Sequence, residues 1–211
     1  MLSYSRCCAH DPASMIRIAI TGSIGMGKST VAAMFAEAGI PLFDADAEVR
    51  AMQGFGGKLV DAIEIGFPGT TRAGAVDRDL LAARVLGDRD QLAALEMIVH
   101  PAVIDRREAF IIDHRDAPAV LFDIPLLFET KGEGAFDKVI VVSAPAAVQR
   151  ERVMARAGMT ADKLAQILER QMSDAMKRER ADFVIDTGGS LEATRAQVDT
   201  ILACLGLGAE R

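Results

Sequence analysis

Short apolar runs alternate along the chain with longer segments of helical periodicity. Such runs favour strands that are buried on both faces of a parallel sheet. They span 16–20, 40–43, 119–122, 139–142 and 183–185. Helices are predicted between them, the first over 28–38, where Val31, Met34 and Phe35 share one face. The pattern therefore predicts an α/β fold with a parallel sheet of roughly five strands.

The segment 47–115 differs from the rest, because its texture is helical and no strand is evident in it. Its apolar positions, from Leu80 to Ile98, alternate with charged ones. Pro101 suits the first turn of a further helix that ends near Asp113. We therefore expect a helical insertion between the second and third strands. Beyond it, a charged helix is predicted over 161–180 and a closing helix over 191–205.

Composition limits the class of protein. The 211 residues are 50 % hydrophobic and 26 % charged, as in a soluble globular chain, and the net charge of -6 argues against nucleic-acid binding. Three cysteines make no disulfide framework, which favours a cytoplasmic location. No apolar stretch reaches the ~18 residues of a membrane span. We expect residues 1–14 to be a disordered extension and 15–211 to be a single domain. The sequence does not indicate which proteins the chain binds.

A phosphate-binding motif lies between the first strand and the first helix. Residues 22–29 (GSIGMGKS) fit G-x-x-x-x-G-K-[ST] at every fixed position. The glycines let several backbone N–H groups point at a phosphate, and the following helix favours anions at its N-terminus. Lys28 can bridge the terminal phosphates of ATP, and the Ser29 hydroxyl can bind Mg²⁺. The motif predicts a nucleotide-binding P-loop.

Several classes of protein use a P-loop. Switch proteins that bind GTP read guanine with Asn-Lys-x-Asp, and this chain contains no asparagine. ATPase motors carry an apolar strand that ends in Asp-Glu, whereas Ile124 follows Asp123 here. A small-metabolite kinase fits best. A nucleoside monophosphate or shikimate-type kinase, and a regulatory nucleotide-binding protein, are the alternatives.

Charged residues after two of the strands are candidates for catalysis. Asp44 and Asp46 follow the second strand, at the sheet edge where ligands bind, and one of them can act as a general base. If the segment is extended, the two point to opposite sides. Arg152 and Arg156 follow the fourth strand and can bind phosphate oxygens from a closing lid. Alternatively, the aspartates are ordinary loop residues and the arginines lie on a solvated helix surface.

Several separate motifs follow one another between residues 15 and 197. They are 21–30 (TGSIGMGKST), 44–46 (DAD), 76–78 (VDR), 95–101 (LEMIVHP), 123–129 (DIPLLFE), 149–156 (QRERVMAR), Gln171, 177–178 (KR) and 181–186 (ADFVID). Together they resemble the dephospho-CoA kinase family, which catalyses the last step of coenzyme A biosynthesis. The His-Pro and Pro-Leu-Leu-Phe-Glu elements are more specific than the P-loop and argue against the other kinases.

The resemblance implies a three-layer P-loop NTPase fold, with a CoA-binding helical insertion over 47–115 and a helical lid over 157–177. It implies an ATP-dependent transferase that moves the γ-phosphoryl group of ATP to the ribose 3′-hydroxyl of dephospho-CoA with the help of Mg²⁺. No nucleic acid or membrane takes part in that reaction. The location that it implies is cytoplasmic.

Site residues are carried over from the family by position. The catalytic set is Asp46 as the base, Lys28, and Arg152 on the transferring phosphate. The expected ATP contacts are Gly22, Ser23, Ile24, Gly25, Met26, Gly27, Lys28, Ser29, Thr30, Arg156 and Thr187, with Ser29 also on Mg²⁺. The expected contacts to dephospho-CoA are Asp46, Arg78, His100, Asp123, Pro125 and Leu126.

The chain departs from the family pattern at two positions. Thr187 stands where the family commonly has asparagine, near the adenine. Ile167 stands where the family commonly has arginine, four residues before Gln171 in the lid. The first departure concerns how adenine is held and the second concerns one lid contact.

Overall fold

The computed structural model describes residues 15–208. Its strands are β1 (Ile16–Thr21), β2 (Leu42–Asp44), β3 (Thr71–Arg72), β4 (Ala75–Val76), β5 (Ala119–Asp123), β6 (Lys138–Ser143) and β7 (Phe183–Asp186). Its helices are α1 (Lys28–Glu37), α2 (Ala45–Gln53), α3 (Val60–Gly66), α4 (Arg78–Val85), α5 (Arg89–Asp113), α6 (Ala146–Met154), α7 (Ala161–Arg170), α8 (Asp174–Arg180) and α9 (Leu191–Cys204). A single 3₁₀ turn lies at Glu133–Ala135 among the described residues.

The main sheet has five strands in the order β2-β5-β1-β6-β7. β1 pairs in parallel with β5, Ile16 opposite Ala119, and with β6, Ala19 opposite Val139. The predicted parallel α/β sheet is confirmed. It is strongly apolar because helices flank it, so that each strand needs apolar side chains on both of its faces.

Alternate residues of the central strands enter different parts of the core. Ile18 and Ile20 belong to a cluster that also includes Phe35 of α1 and Val198 of α9, whereas Ala19 belongs to a second cluster with Phe128. Neighbouring side chains of a strand point to opposite faces, so each face of the sheet has its own hydrophobic core. This arrangement holds the carboxyl end of β1, and therefore the P-loop, on a rigid support.

The described residues divide into two compact units, one formed by 43–114 and the other by the segments before and after it. The core of the 43–114 unit is built mainly from α2, α3, α4 and α5, with Ile63 and Phe67 almost fully buried. This unit also contains the antiparallel pair β3–β4. The expectation of no strand in 47–115 was therefore wrong. The two strands have two residues each, which is too short for a detectable period, and Ala73 and Gly74 turn between them with φ of 49° and 77°.

Two helix boundaries also differ from prediction. Pro101 lies inside the 25-residue helix α5 rather than in the first turn of a new helix. Proline removes one backbone hydrogen bond without ending this helix. The charged segment 161–180 forms two helices instead of one, because the Ser173 hydroxyl accepts a hydrogen bond from the Met176 N–H at 3.4 Å and caps a new helix there.

Within residues 15–208, no helix is both long and apolar enough to cross a membrane. The expected disorder of 1–14 concerns residues outside that range.

Candidate active site

The P-loop connects β1 to α1, as predicted, in a conformation that requires glycine. Gly25 and Gly27 have φ of 78° and 84°, a region that other residues rarely adopt. A Cβ atom at Gly25 would lie 2.5 Å from the Cγ2 of Val153, and one at Gly22 would lie 2.6 Å from the Val142 carbonyl oxygen. The loop is therefore packed closely against β6 and α6, and larger residues at these positions would displace it.

A cavity of about 420 Å³ opens beside the P-loop. It is lined by all nine loop residues from Gly22 to Thr30 and by Pro125, Arg156, Ile167 and Gln171. The first turn of α1 contains no acidic side chain, which leaves the positive end of the helix dipole available to an anion. The cavity has the size and the charge that a polyphosphate requires.

Lys28 projects from the first residue of α1 and forms an ion pair with Asp123 at the end of β5. Both side chains are largely shielded, with 17 % and 8 % of their surfaces exposed. The pair brings a predicted catalytic residue and a predicted substrate-binding residue together. Pro125 follows on the same segment, and its carbonyl oxygen accepts a hydrogen bond from the Thr21 hydroxyl at 3.2 Å. Leu126, also predicted to bind substrate, is 44 % exposed.

Two glutamines hold the backbone of Ile24 in the loop. Gln149 of α6 donates from Nε2 to the Ile24 carbonyl at 2.8 Å, and Gln171 accepts from the Ile24 N–H at 3.3 Å. Neither glutamine was among the predicted site residues. Both lie in motifs that mark the family resemblance, so the signal was present, but the sequence did not indicate that their partner is the P-loop.

Arg152 of α6 is half-buried and hydrogen-bonded rather than on a solvated surface. Its guanidinium donates to the hydroxyl of Thr187 at 2.9 Å and to the carbonyl of Thr187 at 2.7 Å. A second cavity, of about 270 Å³, borders these two residues, Arg156 and the P-loop glycines Gly25 and Gly27. The structure thus places both arginines and Thr187 beside the P-loop, and their contacts to ATP stay predictions.

Glu129, at the end of the Pro-Leu-Leu-Phe-Glu motif, forms a buried ion pair with Lys177 of α8. The Lys177 Nζ lies 2.9 Å from the Glu129 carboxylate, and the Lys177 side chain has no exposed surface. Glu129 also accepts a hydrogen bond from the Met172 N–H at 2.8 Å. Glu129 therefore ties the segment after β5 to the segment that leads into α8.

Replacing Glu129 with glutamine is expected to destabilise the fold by about 3 kcal/mol at neutral pH, because a buried ammonium group loses its counter-charge. Burial raises the pKa of Glu129, but hydrogen bonds from Lys177 and Met172 and the charge of Lys177 outweigh it, so the net pKa is lowered. The carboxylate therefore stabilises the fold above its ordinary pKa of 4.5, and this contribution is lost as the pH falls through the lower folded-state value.

Urea unfolding of the wild type and of Glu129→Gln at pH 7 and at acid pH measures this effect. The difference between the two proteins should shrink at acid pH. The exposed Glu179 lies in α8, the helix that also carries Lys177, and provides the control. Glu179→Gln should leave the free energy of unfolding nearly unchanged. An equal loss for both variants would contradict the assignment.

Within the 43–114 unit, the two candidate aspartates differ in role. The Asp44 side chain caps α2 by accepting a hydrogen bond from the Ala47 N–H at 2.8 Å. Asp46 lies in the first turn of α2 with its side chain exposed. Asp44 is the last residue of β2 and Asp46 already lies in α2, so the extended conformation under which the two would point to opposite sides does not continue past Asp44. Asp44 has a structural partner, while Asp46 is available to a ligand.

The other predicted substrate contacts of this unit are exposed. Arg78 begins α4 and borders a groove of about 690 Å³, which is otherwise lined mainly by apolar side chains such as Leu81 and Leu95. His100 is an exposed residue in the middle of α5. These positions leave both side chains accessible, and their roles stay predictions.

Comparison with known proteins identifies the family. The family model for dephospho-CoA kinase matches residues 16–193. The chain belongs to the dephospho-CoA kinase family. It is 58 % identical over 187 residues to the dephospho-CoA kinase of Novosphingobium aromaticivorans, which covers 88 % of this chain and 92 % of that one. The corresponding protein of Mesorhizobium japonicum is 54 % identical over 190 residues, with 89 % and 95 % covered.

Solved structures share the fold of this chain. A structure from Thermus thermophilus is 38 % identical and has a TM-score of 0.77, covering 90 % of this chain and 97 % of that one. The dephospho-CoA kinase from Campylobacter jejuni has the same coverage, 22 % identity and a TM-score of 0.64. A shikimate kinase from Acinetobacter baumannii, at 15 % identity and a TM-score of 0.54 over 93 % and 96 %, shares the fold alone.

Membership of the dephospho-CoA kinase family confirms the predicted enzyme class. This kinase uses ATP and transfers phosphate to a hydroxyl group. The switch-protein, motor and regulatory alternatives are therefore excluded. The P-loop, the ion pair of Lys28 with Asp123 and the contacts of Arg152 all lie in the same compact unit.

Proposed function

We propose that this kinase transfers the γ-phosphoryl group of ATP to the ribose 3′-hydroxyl of dephospho-CoA, producing CoA and ADP. The reaction is the last step of coenzyme A biosynthesis. The observation that carries the proposal is the glycine-dependent P-loop with Lys28 at the start of α1, in a chain that the dephospho-CoA kinase family model matches over 16–193. The relatives with 58 % and 54 % identity are named dephospho-CoA kinase, and this indicates dephospho-CoA as the acceptor of the phosphoryl group.

The ATP phosphates are bound by the P-loop amides and by Lys28. The Lys28 ammonium, which contacts Asp123 in this structure, exchanges that partner for phosphate oxygens when ATP binds. Arg152 neutralises charge that develops on the transferring group, and Arg156 contacts the nucleotide. Phosphoryl transfer requires little covalent chemistry from the protein, so fixed positive groups account for most of the rate.

The residues beside the P-loop fit a substrate-borne Mg²⁺ ion. Ser29 presents an exposed hydroxyl in the first turn of α1, and in residues 15–208 no three His, Cys, Asp or Glu side chains cluster as a metal site. Magnesium at phosphate sites is bound mainly by phosphate oxygens and water, with only one or two protein groups. We assign Ser29 as the protein ligand; when bound, the ion offsets phosphate charge.

Asp46 accepts the proton of the attacking 3′-hydroxyl. The ribose oxygen then bonds to the γ-phosphorus as the bond to the bridging oxygen of ADP breaks. Arg78, His100, Asp123, Pro125 and Leu126 contact dephospho-CoA. The insertion 47–115 binds the CoA moiety, and the segment 157–177 closes as a lid that excludes water, which protects ATP from hydrolysis.

Release of ADP from Mg-ATP tests this function. The purified kinase is incubated with dephospho-CoA and, in parallel, with AMP, with shikimate and without acceptor. Fast release with dephospho-CoA alone, together with CoA identified by mass and by a ³¹P signal of a 3′-phosphate, is the expected result. Fast release of ADP with AMP or shikimate would show that this compound, and not dephospho-CoA, is the acceptor. No release with any acceptor would refute the proposal.

A further inference from the structure

The hydroxyl of Thr187 connects Arg152 to the P-loop. Thr187 Oγ1 lies 2.7 Å from the carbonyl oxygen of Met26 and 2.9 Å from Nη1 of Arg152. The carbonyl of Thr187 accepts a second hydrogen bond from the same guanidinium at 2.7 Å. Thr187 follows β7, and its own N–H donates to the Ser143 carbonyl at 2.9 Å, so the sheet fixes its position.

The chemistry of the three groups determines which of them donates each hydrogen bond. A guanidinium can only donate, and a hydroxyl has a single proton. The Thr187 proton goes to Met26, because the other acceptor within reach, the Ser143 carbonyl oxygen, is farther away at 3.4 Å. Arg152 therefore donates to Thr187, and Thr187 donates to the loop. Consecutive hydrogen bonds of this kind polarise and strengthen one another.

The packing around this hydroxyl leaves little freedom. Thr187 is only 5 % exposed. A Cβ atom at Gly27 would lie 3.2 Å from Thr187 Oγ1 and 3.5 Å from Nη1 of Arg152. Gly27 thus permits the close approach of Thr187 to the loop, in addition to its left-handed backbone conformation. The three residues form one tightly fitted group.

We propose that Thr187 is a positioning residue, which sets the guanidinium of Arg152 at a fixed place relative to the P-loop. The inference rests on the proposed function, in which Arg152 contacts the transferring phosphate. Two of the five guanidinium donors bind Thr187, so the rest are available to phosphate oxygens. Phosphoryl transfer depends on such preorganised charge, and small displacements reduce it sharply.

The test compares Thr187→Ser with Thr187→Ala, two variants that differ only by the hydroxyl group. Thr187→Ser is expected to retain kcat near the wild-type value. Thr187→Ala is expected to lower kcat about 10-fold or more, because Arg152 loses its link to the loop. The affinity for ADP, measured by calorimetry, should differ little between the variants, since the phosphate-binding amides and Lys28 are retained. Thermal melting shows that both are folded.

A double-mutant cycle shows whether the hydroxyl acts through Arg152. In an Arg152→Met background, Thr187→Ala should cause no further fall in kcat. An undiminished fall in that background, or equal activity of the serine and alanine variants, would overturn the proposal. A loss of ADP affinity as large as the loss of kcat would also overturn it. Failure of the proposed function is distinct, because the wild type would then release no ADP with dephospho-CoA.

Discussion

Replacing Lys28 with methionine is expected to lower kcat/KM for ATP by about 10²–10³-fold, the usual effect of removing one preorganised donor from a developing anion. Methionine retains the length and the apolar stem of lysine, so the change removes mainly the charge. The Lys28 ammonium is partly shielded from water beside Asp123. A charge that is shielded from water interacts more strongly with a phosphate than a fully hydrated charge does. Steady-state ADP release with dephospho-CoA as acceptor measures the change.

The control for this variant addresses stability and net charge. Lys28→Met also leaves the carboxylate of Asp123 without this cation, so a fall in melting temperature is expected beside the loss of rate. Lys131 is exposed, and Lys131→Met alters the net charge equally without a predicted role in the reaction. If Lys28→Met retained more than a tenth of the activity while Lys131→Met matched the wild type, the P-loop amides would be the main phosphate ligands.

The sheet was predictable because its strands are buried on both faces. Each run is apolar through most of its length, and the structure places strands at all five runs, with ends shifted by one or two residues. The largest shift is at β2, predicted over 40–43 and observed at Leu42–Asp44. The P-loop was equally predictable, because its chemistry constrains the residue type at four fixed positions within eight consecutive residues.

Features that depend on contacts between distant parts of the chain could not be predicted. Thr187 and Met26 are 161 positions apart, and Gln149 and Ile24 are 125 apart. Their residue types are common, and only the folded sheet brings them to the same loop. The sequence marked Thr187 as a departure from the family pattern without showing its partners. The hairpin β3–β4 was missed for a different reason, since two residues per strand leave no period.

The different roles of Asp44 and Asp46 at the start of α2 could not be predicted from the sequence either. Two aspartates separated by one alanine have equal claims as a base when only their position after a strand is known. The structure separates them, because the Asp44 carboxylate already accepts the hydrogen bond that begins α2, whereas Asp46 is exposed. A capping carboxylate contributes about 1 kcal/mol to stability, and moving it to take a proton would cost that contribution. This difference favours Asp46 as the general base, and substitution of each aspartate by asparagine tests the assignment.

Asp46→Asn is expected to lower kcat about 10²–10⁴-fold, the usual contribution of a general base, with little change in the affinity for ADP. Asp44→Asn is the matched control, because asparagine caps a helix about as well as aspartate and the charge change is identical. It should remain within a few-fold of the wild type. Equal losses at both positions would contradict the assignment, since the cap would then be part of the chemistry. A large loss at Asp44 alone would transfer the role of base to that residue.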